Sequence, residues 1–176
     1  MTIIAATTPL SFMFADDGEV PNNPALPALV YKAAIDLSAS RDPAAEIEKL
    51  FKANGWGHDM WRDGIFLYMH YHSMIHEVLA IARGRAKVRF GGEHGEEIDI
   101  APGDVVILPA GTGHQCLKHS RDLVVIGAYP PTGKYNLCRG TKAEHAKAVA
   151  AIRKVPLPLT DPAFGRQGPL LALWRA

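Results

Sequence analysis

Between Gly64 and Tyr129 the chain is a succession of short apolar runs, each closed off by glycine, proline or aspartate. IFLYMHYH, EVLAIA, AKVRF, EEIDI, DVVILP and LVVIGAY follow one another with a turn signal every ~8–12 residues. Many short strands at this spacing build an antiparallel sandwich or barrel rather than βαβ units. The expectation is an all-β core over about residues 62–130, with any helices outside it.

Helical patterning is confined to the flanks. Asp42-Pro43 supplies a capping side chain and then proline at the first helical position. Ile47, Leu50 and Phe51 form an apolar stripe and Gly55 a stop, which predicts a helix near 43–54. Thr141-Lys142-Ala143-Glu144 fits a capping box and predicts a helix near 142–155, ending before Pro156. The first 27 residues, with Asp16-Asp17-Gly18 and Pro21-Asn22-Asn23-Pro24, read as an extended arm, followed by a strand near Ala28–Leu37. The terminal GPLLALWRA is too apolar for water and is expected to fold back on the barrel. With no internal repeat, residues 1–176 read as one domain.

Two glycine-bounded clusters sit inside the strand region. The first is Gly64-x5-His70-x-His72-x4-Glu77-x6-Gly84, the second Gly103-x5-Pro109-x-Gly111-x2-His114. In a strand, residues i and i+2 share a face, so His70 and His72 project together while Tyr71 points away. Ser73 to Ile75 would turn the chain and bring Glu77 back on the neighbouring strand, and His114 would arrive from a more distant one. Three imidazoles and a carboxylate suit one divalent transition metal (Fe, Mn, Ni, Zn or Cu) better than Mg or Ca. Adjacent residues alternate faces, so only one of His76 and Glu77 points inward, and the spacing to Gly84 favours Glu77. His76 is then a supporting or interface residue.

Both spacings resemble the two motifs of the cupins. The flanking segments WRDGIFLYMHYHSMIHEVL, PAGTGH, GAYP and DPAFGRQGPL are similar to the YjlB-type single-domain cupins along nearly all of the chain. The resemblance implies a double-stranded β-helix, or jelly roll, with His70, His72, Glu77 and His114 holding a metal inside the barrel. One departure is Lys118, where an asparagine often follows the last histidine by four residues.

Phe66 and Tyr68 share the predicted inward face of His70 and His72, which makes them candidate substrate-binding residues. Cys116 and Lys118 share the predicted face of His114 but read as packing and as a solvated strand end. Ile65, Leu67, Met69 and Tyr71 make the other face of the first strand apolar as well. Such a strand needs cover from a terminal arm or a second subunit, and a homodimer is expected.

The formal charge of +1 gives no long-range field for nucleic acid or anionic lipid, and neither partner is expected. No apolar run reaches the ~18 residues of a bilayer span. MTIIAATTPLSFMF lacks the basic residues of a signal peptide, and Cys116 and Cys138 form no disulfide framework, so a cytoplasmic location is expected. Two functions fit. One is a metal-dependent enzyme acting on a small polar molecule, for which cupin dioxygenases and isomerases are the models by resemblance. The other is a non-catalytic module that binds a sugar or metabolite. No residue stands out as a general base.

Overall fold

The computed structural model describes residues 2–3 and 8–175, with side chains from residue 8 onward. Residues 1 and 4–7 of the expected N-terminal arm and Ala176 of the tail lie outside the described residues. In chain order the early elements are β1 (Thr2–Ile3), β2 (Leu10–Phe12), β3 (Ala28–Tyr31), β4 (Ile35–Asp36), α1 (Pro43–Ala53) and β5 (His58–Asp63). Then come β6 (Glu77–Arg83), β7 (Ala86–Phe90), β8 (Glu96–Ile100), β9 (Val105–Leu108), β10 (His114–His119) and β11 (Val124–Tyr129). Helices α2 (Lys142–Ile152) and α3 (Leu170–Leu173) follow.

Strands β2-β3-β9-β6-β11-β5 form one antiparallel sheet and β10-β7-β8 a second, with β1 and β4 paired apart from both. The two sheets face each other as a jelly roll. Period-2 alternation decides what each face buries. On β6, Leu79 and Ile81 point into the barrel against Val88, Phe90 and Ile100 of the smaller sheet. Val78, Ala80 and Ala82 point outward, onto Ile47, Leu50 and Phe51 of α1 and onto Trp56 and Trp174. Each of these large side chains contributes about 1.5–3 kcal/mol by leaving water. The smaller sheet keeps its outer face wet, where Lys87 pairs with Asp99 (3.2 Å) and Arg89 with Glu97 (2.7 Å) across the ladder.

The helices follow their capping chemistry. Asp42 accepts the amide of Ala45 at 3.1 Å, and Gly55, at φ 78°, takes the left-handed turn that ends α1. Thr141 and Glu144 complete the capping box of α2, which stops at Ile152, shorter than expected. The strand predicted over Ala28–Leu37 is broken into β3 and β4 by a turn in which Ala33 adopts φ 48°.

The tail folds back as expected. Asp161, fully buried, accepts Tyr31 O–H at 2.6 Å and the amides of Ala163, Phe164 and Leu170 at 2.8, 3.0 and 3.2 Å. Trp174 Nε1 donates to the Pro27 carbonyl at 2.9 Å.

One expected strand is absent among the described residues. IFLYMHYH bends at Leu67 and Tyr68 and joins its neighbours through isolated bridges at His70 and Tyr71 and a single Cys116 N–H bond to the Phe66 carbonyl at 2.9 Å. The Leu67 carbonyl is taken by the Gln115 side-chain amide at 2.8 Å rather than by a strand neighbour. The strand lies earlier, at His58–Asp63. The alternation is lost with it: Leu67 is 62% exposed and Met69 half-buried. The strands buried on both faces are instead β6 and β9, whose outer face the chain covers with its own helix and tail. That ground for a second subunit therefore falls.

Candidate metal centre

His70 is fixed by a reciprocal backbone bridge to His114, with N–H to carbonyl distances of 3.2 and 2.9 Å. Tyr71 bridges Cys138 in the same way at 3.1 and 3.0 Å, and Gly111 N–H reaches the His72 carbonyl at 2.7 Å. Tyr71 turns away into a separate cluster with Val20, Ala148 and Ile152, so the expected split of His70 and His72 from Tyr71 holds. The expected neighbours are exchanged, however. His114 lies directly beside His70, and Glu77 comes from the facing sheet, at the start of β6. The bends at residues 73–75 carry the chain across the barrel rather than into a hairpin.

One ring nitrogen of each of His70, His72 and His114 lies within 4.8 Å of the other two, and all three residues are buried. Each Nδ1 faces a backbone carbonyl: Tyr68 for His70 (3.1 Å), Asn136 for His72 (2.5 Å) and Thr112 for His114 (3.3 Å). A carbonyl only accepts, so each Nδ1 carries the hydrogen and Nε2 is the nitrogen left to face the site.

Glu77 is 2% exposed. Its Oε1 accepts the Tyr129 hydroxyl at 3.1 Å, and that hydroxyl in turn accepts Trp61 Nε1–H at 3.1 Å. Its Oε2 has no hydrogen-bond partner and stands 3.4 Å from His72 Nε2 and 3.3 Å from His114 Nε2. Lone pairs facing a carboxylate oxygen repel unless a cation, a proton or a metal ion, stands among them. Burial opposes ionisation of Glu77, but His72 and His114 overcome it and hold its carboxyl below the usual range. Burial likewise opposes protonation of His72, and the Glu77 charge reverses the balance and raises it. Burial, with His114 adding to it, pushes His70 down to about 3. The three-histidine donor set fits a metal ion, and the orphaned Oε2 of Glu77, outside that set, faces two of its members.

The histidines and Glu77 line one end of a cavity of about 380 Å³ whose walls include Trp61, Ile65, Phe66, Leu79, Tyr129 and Tyr135. Phe66 borders this cavity, although the strand face expected to carry it is absent. Tyr68 is absent from the lining; it stacks on Phe66 at 4.8 Å, beneath the Arg139 guanidinium at 3.9 Å from its centroid.

His76 faces the other way, fully buried against Trp174 at 4.8 Å, its Nδ1 accepting Ala110 N–H at 2.9 Å. Cys116 packs in the barrel core and Lys118 is exposed.

Sequence reasoning missed Trp61, Tyr129, Tyr135 and Asn136. Tyr129 had a signal: it is two residues beyond Gly127, which pairs with Leu79, so it falls opposite Glu77 on the same face. Trp61 pairs with Gly127, where a Cβ would lie 2.0 Å from the indole. Asn136, in an irregular segment, had none. Its side chain accepts the amides of Ser73 and Met74 at 3.0 and 3.1 Å and donates to Ser73 Oγ at 2.9 Å.

The signature of the cupin domain matches residues 63–126. The uncharacterized protein YjlB of Bacillus subtilis (strain 168) is 40% identical over 164 residues, covering 93% of this chain and 95% of its own. Among solved structures, an uncharacterized double-stranded β-helix protein from Klebsiella pneumoniae is 11% identical, with a TM-score of 0.38 over 79% of this chain and 87% of its own. A chain from the crystal structures of the DMSP lyases RdDddP and RnDddQII is 16% identical, with a TM-score of 0.35; the match covers 47% of this chain and only 41% of that one.

Proposed function

Because the chain belongs to the cupin family, alongside YjlB, we propose that His70, His72, Glu77 and His114 together hold one divalent transition metal and that the protein is a metal-dependent enzyme, of dioxygenase or isomerase type, acting on a small polar molecule. The observation that carries this reading is the buried Oε2 of Glu77, left without a donor between the Nε2 lone pairs of His72 and His114. Four protein ligands leave one or two positions of a five- or six-coordinate ion for a ligand, and a site kept for stability alone would more often be closed. When bound, the ion would supply Lewis-acid or redox chemistry at the floor of the cavity. The three carbonyls would fix the imidazole tautomers, Tyr129 and Trp61 would orient Glu77, and the aromatic walls would exclude water.

Elemental analysis of protein purified without a chelating tag tests the metal, with one equivalent expected. Protein that retains no transition metal at neutral pH refutes the reading. Activity screening with the retained ion then tests catalysis. A non-catalytic binding module is the second reading, favoured by walls whose polar atoms on Trp61 and Tyr129 are already committed. Titration of a ligand with and without chelator separates the two, since metal-independent binding without turnover supports the module.

The proposal extends to residues 1–176 as one domain, to a cytoplasmic homodimer and to no nucleic-acid or membrane partner. Its support is the pair of free cysteines, the exposed apolar side chains of Phe66, Leu67 and Met74, and the near-neutral charge. No helix of the described residues is long and apolar enough to cross a membrane. Light scattering that returns a monomer mass at micromolar concentration refutes the dimer.

A further inference from the structure

We infer that the cavity selects a compact ligand with a flat, apolar body, whose polar atoms are confined to the end that meets His70, His72, Glu77 and His114. This rests on the metal-centre reading above and narrows the substrate class from any small polar molecule to this one.

The polar groups along the walls are already engaged except the Tyr135 hydroxyl, whose ring lies 4.9 Å from that of His72, beside the metal centre. Trp61 and Tyr129 each carry a polar handle on a large ring. Trp61 Nε1–H is donated to Tyr129, and the Tyr129 hydroxyl is donated to Glu77, so neither donor is left for a ligand. Ile65, Phe66 and Leu79 have no polar side-chain atom, and all three border the same space. Arg62, the one cation of the lining among the described residues, is held by Glu48 through Nε at 2.9 Å and a second nitrogen at 2.8 Å. The mouth also carries Asp59 and Asp63, so its field disfavours an outward-pointing anion.

A sugar brings hydroxyls around its whole perimeter and would leave several of them facing Phe66, Leu79 and the two indole and phenol rings. Each buried, unpaired hydroxyl costs about 1–3 kcal/mol on protein scales. A phosphorylated metabolite would place its charge between two aspartates with no free cation among the described wall residues. Flat apolar rings meet no such penalty, and cavities of this volume suit ligands of that size.

Two hydroxamates test the idea, because they chelate a metal through the same atoms and differ only in the body. On the metal-loaded protein, benzohydroxamate is expected to bind roughly tenfold or more tightly than acetohydroxamate, from the added apolar burial. Phe66→Ala, at a residue 46% exposed and so harmless to folding, should reduce that ratio while metal content stays at one equivalent. Glucose 6-phosphate should not displace the bound benzohydroxamate. Equal affinities for the two hydroxamates, or displacement by the sugar phosphate, overturn the ligand class and leave the metal centre standing. Protein that holds no metal and binds neither hydroxamate overturns the metal centre, and this inference with it.

Discussion

His114 Nε2 stands 3.3 Å from Glu77 Oε2, two acceptors aimed at each other inside a barrel that hides both. Glu77→Gln should therefore weaken both forms of the protein, for different reasons. Without metal, the amide forfeits the charge that raises His72 and that His72 and His114 hold ionised, and stability should fall by about 1 kcal/mol or more. With metal, the loss of a charged ligand should lower affinity and abolish any turnover. Denaturant titrations with and without chelator, beside metal content after dialysis, read both. A metal-free Glu77→Gln variant as stable as wild type would show that the Glu77 charge contributes nothing to the fold.

Loading the metal should raise the melting temperature in proportion to the logarithm of free ion, because only the folded chain brings His70, His72 and His114 together. The barrel core is extensive without it, so chelated protein should stay folded rather than collapse. Circular dichroism before and after chelation decides this; loss of the β signal on chelation would contradict it.

Asn136 should behave as a positioning residue for His72. Its side chain holds the Ser73 and Met74 amides while its own carbonyl takes His72 Nδ1–H. Asn136→Ala should weaken metal binding about tenfold, as such supporting contacts commonly do. Competition with a chromophoric chelator measures this. An unchanged affinity would show that the segment's backbone alone suffices.

Burial pushes His76 down to about 4, well below its ordinary value near 6.5. Between those values the unfolded chain binds a proton that the folded one refuses, so stability must fall as pH drops through this window. The loss expected from His76 is roughly 3 kcal/mol. His70, also pushed down by burial, adds to the acid limb in metal-free protein. His76→Phe isolates the first contribution. It should be less stable than wild type near pH 7, where Ala110 N–H loses its acceptor, and the gap should narrow or reverse by pH 4.5. Urea unfolding at the two pH values would show a constant gap if His76 were not held neutral.

Asp161→Ala should cost roughly 3 kcal/mol or more, since it orphans the Tyr31 hydroxyl and the amides of Ala163, Phe164 and Leu170 at once. Tyr31→Phe removes one of the four and should cost less. Melting temperatures of the two variants test the order.

Much of this was legible in the chain because local chemistry dictated it. Asp42-Pro43 and Thr141-x-x-Glu144 fixed helix starts through orphan amides, and the turn rhythm announced the sheets. The three histidines were legible through the spacing of the two motifs. The order of neighbours was not. Which strand lies beside His70 depends on pairings far apart in sequence, and alternation says nothing of them. IFLYMHYH shows the other failure: its β-rich composition predicted a ladder, but Gln115 and the bridges to His114 and Cys138 pin it as an irregular strap. Trp61 was hidden for a related reason, as its place depends on an empty site across the ladder.

That empty site gives the protein an optical probe of its own. The sequence holds three tryptophans, and Trp56 and Trp174 are sealed at 0% and 3% exposure in the layer outside the large sheet. Trp61 alone borders the cavity, lying over Gly127 with its ring nitrogen on Tyr129. The two sealed indoles emit a steady background, while the third reports what enters beside it. Ligand arrival can be followed as a quench or a spectral shift in unlabelled protein. Replacing Trp61 with phenylalanine would silence the signal without dimming the rest.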